Sequence, residues 1–272
     1  MSSATTTTAM DPNRQSKLLW QRFAGRMDEG LVSSGHIMFL RDVAIHADKA
    51  IVSNYKDGFV GKFARDVTCC TYLFLRLIHR QIETAGVMKL ALTFTDNESL
   101  IKERHHMYPE QPDVLIFTWL FQFDKYIVSS ELEKKRMIFS AMTDCVRYLA
   151  AQYDWDSQPV VDARERAEQD NYRFNGYLNP SWVSPDSKWR VRIYFECGLE
   201  FLEFYCCLFK NRSKTELGRK YMGRDVPVQT GNRIDKSDGK WLSDTQFELI
   251  SPTFHGIKWV IDFDEIIAES KQ

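Results

Sequence analysis

Apolar positions change period along this chain, and the changes divide it into elements. Ile37, Leu40, Ala44, Ala47, Ile51 and Tyr55 recur at steps of three and four. That spacing is one face of a helix. Asp57-Gly58 and Gly61 read as its stop. A second helix is expected from Lys62 to Thr84, with Phe63, Val67, Cys70, Phe74, Leu77 and Ile78 as its stripe. Gly86 supplies the break. The period then shortens to two: Leu90, Leu92 and Phe94 alternate with Lys89, Ala91 and Thr93, which predicts a strand. Residues 98–112 are polar and read as a loop broken by Pro109 and Pro112. Residues 114–128 are apolar on both faces and read as a buried strand or strand pair, with a buried helix as the alternative.

Ser130 and Glu133 form a capping-box pair, in which the hydroxyl accepts from an early helix N–H. Ile138, Ala141, Met142, Cys145 and Leu149 extend that helix until about Asp154. Pro159 suits the first turn of another, with Val160, Ala163, Ala167 and Phe174 facing inward. From residue 188 the chain reads as sheet. Trp189, Val191, Ile193, Phe195 and Cys197 alternate cleanly with Arg190, Arg192, Tyr194 and Glu196. Residues 199–209 make a partner strand, 210–224 a basic loop, and 224–230, 240–250 and 256–263 further strands. Short links favour antiparallel pairing. The fold class expected is α+β: N-terminal helices, a central α/β stretch, and a C-terminal antiparallel meander packed on helices. Residues 1–16, rich in Ser and Thr, read as a disordered tail. Residues 17–86 read as a helical region and 87–272 as an α+β domain.

Composition narrows the class further. The chain has 272 residues, 44% hydrophobic and 13% aromatic, enough for a sizeable core. A net charge of −1 gives no electrostatic case for nucleic acid or a membrane surface. The first residues lack the basic and apolar regions of a secretory signal. Six cysteines, four of them as the adjacent pairs Cys69-Cys70 and Cys206-Cys207 inside apolar stretches, read as buried small hydrophobes in a reducing cytoplasm.

The sequence carries no Walker A loop, dinucleotide glycine motif, nucleophile elbow, H-E-x-x-H or C-x-x-C pair. No cofactor or metal is expected. His105-His106 reads as solvated, since adjacent side chains diverge. Asp186, Glu196 and Glu200 lie near strands as in metal nucleases, but no E-x-K follows. Lys210, Arg212, Lys214, Arg219, Lys220 and Arg224 make a basic loop without interleaved aromatics other than Tyr221. Asp262, Asp264, Glu265 and Glu269 form an acidic patch that could occlude a basic cleft or complement a helix dipole.

Arg41-Asp42-Val43-Ala44-Ile45-His46 resembles the R-x(4–6)-H motif of HEPN ribonucleases, with Asp42 as the polar residue after the arginine. The resemblance covers six residues. It implies metal-independent RNA cleavage by Arg41 and His46 in a cleft between protomers. The blander reading is two polar positions on an amphipathic helix. A soluble, near-neutral, motif-free chain rich in Trp and Tyr points instead to a non-enzymatic protein that binds another protein, in the manner of an immunity protein or antitoxin. A structural subunit of a homo-oligomer is the third reading.

Overall fold

The computed structural model describes residues 38–48, 58–84, 86–103, 105–108, 111–227, 237–250 and 258–270. The expected tail, and Ile37, Ile51 and Tyr55 of the first expected helix, lie outside them. The α+β class is as the sequence predicts. The chain divides into Met1–His36 and Ile37–Gln272, and the description below concerns the second.

The first sheet has the order β2-β4-β6-β5. It is built from β2 (Asp42–Ala47), β4 (Lys89–Thr95), β5 (His105–Tyr108) and β6 (Gln111–Leu120). β2, β4 and β6 run parallel, and β5 pairs antiparallel with β6. β2 corrects the helix expected over residues 37–55. Val43 and Ile45 are buried at 3% exposure each, and this period-two pair prevails over the three-four spacing because β4 offers a parallel partner. A strand from the 17–86 stretch therefore shares a sheet with strands from 87 onward. The expected loop 98–112 holds a 3₁₀ turn, Glu98–Glu103, and β5. A two-stranded ribbon, β1 (Met38–Phe39) with β3 (Glu83–Thr84), flanks this sheet in sequence.

Helix α1 (Phe59–Leu77) joins β2 to β4. Gly58 caps its start at φ 90°, a left-handed conformation that suits glycine. The helix ends at Leu77, seven residues short of the expected Thr84, with the Ile78 N–H bonded to the Phe74 carbonyl. Its stripe of Phe63, Val67, Cys70 and Phe74 is buried as the spacing predicts. The apolar stretch 114–128 resolves into β6 and a short helix, α2 (Phe123–Val128). Helix α3 (Glu131–Tyr153) starts where expected, with the Ser130 hydroxyl accepting from the Glu133 N–H at 3.3 Å. It stops at Asp154, whose backbone is left-handed. Helix α4 (Gln158–Gln169) buries Val160, Ala163 and Ala167. Phe174, expected within it, opens a strand instead.

The second sheet is an antiparallel meander, β7 (Phe174–Val183), β8 (Trp189–Cys197), β9 (Leu202–Lys210) and β10 (Glu216–Asp225), in spatial order β10-β9-β8-β7. Residues 216–225 are thus strand, where sequence reading placed a basic loop. The expected strand 224–230 is not separate: β10 ends at Asp225, and 228–230 lie outside the described residues. Residues 240–250 split into β11 (Asp238–Trp241) and β12 (Gln246–Ile250), which pair with β13 (Lys258–Asp262) in a third sheet. Helix α5 (Asp264–Glu269) follows.

Aromatic side chains join these layers. Tyr72 and Arg76 of α1 meet Phe174 of β7, with ring centroids 6.1 Å apart and the guanidinium 4.7 Å from the ring. Trp182 of β7 packs on Phe247 of β12 at 5.3 Å. The Trp241 indole N–H donates to the Trp182 carbonyl at 3.3 Å. The Trp259 indole N–H donates to the Met222 carbonyl at 3.0 Å, tying β13 to β10. Among the described residues no helix is long and apolar enough to cross a membrane.

Candidate binding face

The meander has one face in the core and one face outward, because successive strand side chains alternate. Val191, Ile193, Phe204, Cys206 and Leu208 are buried on the inner face. The outer face carries a row of tyrosines, one from each strand. Tyr177 stands opposite Tyr194, Tyr194 opposite Tyr205, and Tyr205 opposite Tyr221. Their ring centroids are 5.0, 6.3 and 5.5 Å apart. Tyr221, on the edge strand, is 55% exposed, and the other three are half-buried.

Arginines lie across this row. The Arg192 guanidinium sits 4.5 Å from the Tyr177 centroid. Arg219 sits 4.4 Å from Tyr194 and 5.5 Å from Tyr205. Arg219 is held there by Glu216: Nε donates to Oε1 at 2.7 Å and Nη2 to Oε2 at 3.2 Å. The same carboxylate accepts the Tyr177 hydroxyl at 2.5 Å. Glu203 accepts the Tyr205 hydroxyl at 3.1 Å. Burial first, and the Glu203 hydrogen bond second, push the Tyr205 hydroxyl up to about 12. Burial, followed by the Glu216 hydrogen bond, raises Tyr177 as well. Both remain neutral hydrogen-bonding groups at physiological pH.

Two further features extend the face. Arg190 donates to the Ser213 carbonyl at 2.6 Å and lies 5.6 Å from the buried Phe209 ring. Arg224 lies 4.1 Å from Phe201, which is 40% exposed at the β8–β9 turn. The charges are mixed: Arg190, Arg192, Arg219 and Arg224 stand among Glu196, Glu203 and Glu216. A nucleic-acid surface needs a one-sided basic field. A protein interface uses tyrosine and arginine anchors with charges of both signs.

The sequence-predicted residues fall elsewhere. Arg41 is exposed immediately before β2, and His46 is the fifth residue of that strand. Five residues of extended chain span about 16 Å, so the strand does not bring the pair together as a helix would. His46 is itself exposed on that strand. Asp42 forms an ion pair with Lys89.

The acidic patch is exposed, but parts of it are engaged. Asp262 accepts from the Asp264 N–H at 2.8 Å and from the Gln246 side chain at 3.1 Å. Those two hydrogen bonds, the backbone one first, lower its carboxyl below the usual range. Glu265 pairs with Lys220 at 2.9 Å, so the acidic patch and the basic segment meet each other. Glu269 closes α5. Asp186 serves the β7–β8 turn, accepting from Ser184 at 2.7 Å and from the Lys188 N–H at 3.1 Å. Glu200 pairs with Lys62 at 2.9 Å. His105 and His106 lie in β5. Among the described residues no group of three or more His, Cys, Asp or Glu could hold a metal ion.

Ligands of parallel sheets lie beyond the carboxyl ends of the strands. There Phe94, from the end of β4, stacks on Phe121 at 5.0 Å, and Phe121 packs on Phe123 at 4.9 Å. Phe63 and Tyr126 close the cluster. Apolar rings fill that position among the described residues.

Sequence reading missed the tyrosine row. Tyr194 was visible at an outward position of its strand, but the register that aligns it with Tyr177, Tyr205 and Tyr221 depends on turn lengths and on β10 being a strand. Comparison with protein-family models, curated proteins and solved structures finds no match.

Proposed function

We propose that this protein is a non-enzymatic binding protein that recognises another protein through the outer face of the β7–β10 sheet and acts by occluding it. The observation that carries this reading is the in-register row Tyr177–Tyr194–Tyr205–Tyr221 with Arg192 and Arg219 laid over it. Tyrosine and arginine dominate binding hot spots because each offers large contact area together with directional hydrogen bonds. The rings are held by their cross-strand neighbours, and Arg219 by Glu216. Little side-chain freedom is left to lose on binding, which favours affinity.

The test is capture from the native host with the whole chain and with a Tyr194→Ala/Arg219→Ala double variant as baits. A partner retained by the native chain and lost by a folded double variant supports the reading. Equal capture by both removes it. Sedimentation of the native chain alone separates this reading from self-association: a concentration-dependent dimer broken by the same variant would make the partner a second copy.

A further inference from the structure

Strand β13 (Lys258–Asp262) lies at an edge of the third sheet, with β12 on one side only. Val260 at its centre is 54% exposed, and Lys258 and Asp262 at its ends are exposed as well. The ladder with β12 fixes which backbone groups face outward. The Phe263 N–H donates to the Thr245 carbonyl at 2.9 Å, just past the end of the strand. Along an antiparallel pair, hydrogen-bonded positions alternate with positions whose N–H and C=O turn the other way. Ile261 opposite Phe247 and Trp259 opposite Leu249 therefore bond to β12. Lys258, Val260 and Asp262 turn their backbone groups to the open edge, where they meet no backbone partner among the described residues. Such an edge is a template for another strand.

We infer that β13 pairs antiparallel with β13 of a second copy of this chain, about a two-fold axis at Val260. The run Lys-Trp-Val-Ile-Asp is its own complement in that arrangement. Val260 stands opposite the partner's Val260, Lys258 opposite the partner's Asp262, and Asp262 opposite the partner's Lys258. The outward N–H and C=O of these residues then find mates across the axis. Directly opposite residues share a sheet face, so the ion pairs flank the valine contact on one surface.

Other registers lose the charge match. A slip of two residues sets each charge against the valine, and a slip of four sets lysine against lysine or aspartate against aspartate. A parallel pair would bring like charges alongside each other. Neither charge is exhausted within its own chain. Lys258 pairs with Glu248, which also pairs with Lys240 at 3.1 Å. Asp262 accepts from the Gln246 side chain and the Asp264 N–H. An ammonium has three donors and a carboxylate about four acceptor positions, so each can serve a further partner. The contact uses the same patch on both copies and closes on itself, which gives a dimer rather than a filament. A five-residue strand buries little surface, so the dimer is weak and its population follows concentration.

The experiment is sedimentation equilibrium of the full chain over a concentration series. The expected result is a weight-average mass that climbs from 31.9 kDa toward twice that value. Val260→Pro removes an outward N–H without touching the β12 ladder, and proline is accepted at such an edge position. It is expected to stay monomeric at the same concentrations and to keep the native far-UV spectrum. Tyr194→Ala/Arg219→Ala is expected to dimerise as the native chain does, which separates this edge from the binding face. Val260→Cys gives a second readout. Opposed hydrogen-bonded positions have Cα atoms about 5.5 Å apart, within the range a disulfide spans. Mild oxidation is expected to link position 260 to position 260 between copies, whereas Leu242→Cys, 46% exposed beyond β11, forms no such link. That readout decides the matter even if the proline variant fails to fold. The inference is overturned if the native chain is monomeric throughout, if the dimer survives Val260→Pro or is broken by the Tyr194/Arg219 variant, or if position 260 does not link to itself.

Discussion

The Arg219 guanidinium carbon sits 4.4 Å from the Tyr194 ring centroid, while Glu216 accepts two hydrogen bonds from the same guanidinium at 2.7 and 3.2 Å. The side chain is thus fixed from two sides before any partner arrives. A lysine there would keep the charge but lose the two-pronged hydrogen bonding to Glu216. If the face is a hot spot, Arg219→Ala and Tyr194→Ala each weaken partner binding by about 2 kcal/mol or more. Arg219→Lys should recover only part of that loss. In the free protein the cation–π contact contributes about 0.5–1 kcal/mol, so the thermal midpoint should fall little. Calorimetric titration beside thermal melts separates the two effects. Equal losses in binding and in folding would assign the pair to stability alone.

The third sheet rests on a glycine. A Cβ at Gly239 would come 2.6 Å from both Phe247 and Trp182 ring atoms. The Phe247 ring is fully buried and packs on Trp182. Gly239→Ala should therefore cost about 1–3 kcal/mol through overpacking. Indole fluorescence would report the displaced rings, and urea titration the lost stability. An unchanged midpoint would mean that the contact yields freely.

Ser130 accepts from the Glu133 N–H at the start of α3, and its replacement tests whether that cap is needed. Ser130→Ala should lower stability by about 1 kcal/mol. The urea dependence should keep its slope, because little new surface is exposed. Ser130→Asp, which restores the acceptor and suits the helix dipole, should recover most of the loss.

The sequence was most legible where a single pattern acted alone. The α3 cap and stripe, the α1 stripe and the β8 alternation could be read directly, because local periodicity and burial agree there. It was least legible at β2. In residues 37–55 a three-four spacing and the alternation of Val43 with Ile45 coexist, and pairing with β4 decided between them. β10 was hidden for a related reason. Its outward charges, Arg219 and Arg224, resemble a solvated loop until Tyr205 and Phe201 are seen to support them. The face itself is a product of register across four strands, which no local window contains. Arg41 and His46 illustrate the converse. Their separation is that of a strand, where each residue advances the chain about twice as far as on a helix.

Asp66 and Tyr126 supply a prediction whose sign can be worked out. The Asp66 carboxyl is 1% exposed, accepts the Tyr126 hydroxyl at 2.5 Å, and lies 3.7 Å from the Lys62 ammonium. Burial raises its pKa above the ordinary 3.8, although Tyr126, Lys62 and Lys134 pull the other way. The native state therefore holds this proton to a higher pH than the unfolded chain does. Asp66 favours folding most below about 3.8, and that contribution is lost as pH rises through the native value. Near neutral pH the buried charge depends on its partners. Tyr126→Phe removes the hydroxyl and should cost about 1–3 kcal/mol there, with a smaller loss in acid, where the carboxyl is neutral. Asp66→Asn keeps an oxygen for the Tyr126 hydroxyl and removes the charge. It should match or exceed the native stability near neutrality and flatten the pH profile, while Lys62 keeps its 2.9 Å pair with Glu200. Urea midpoints measured from acid to neutral pH on the three proteins check this. An Asp66→Asn profile parallel to that of the native chain would show that other groups set the slope.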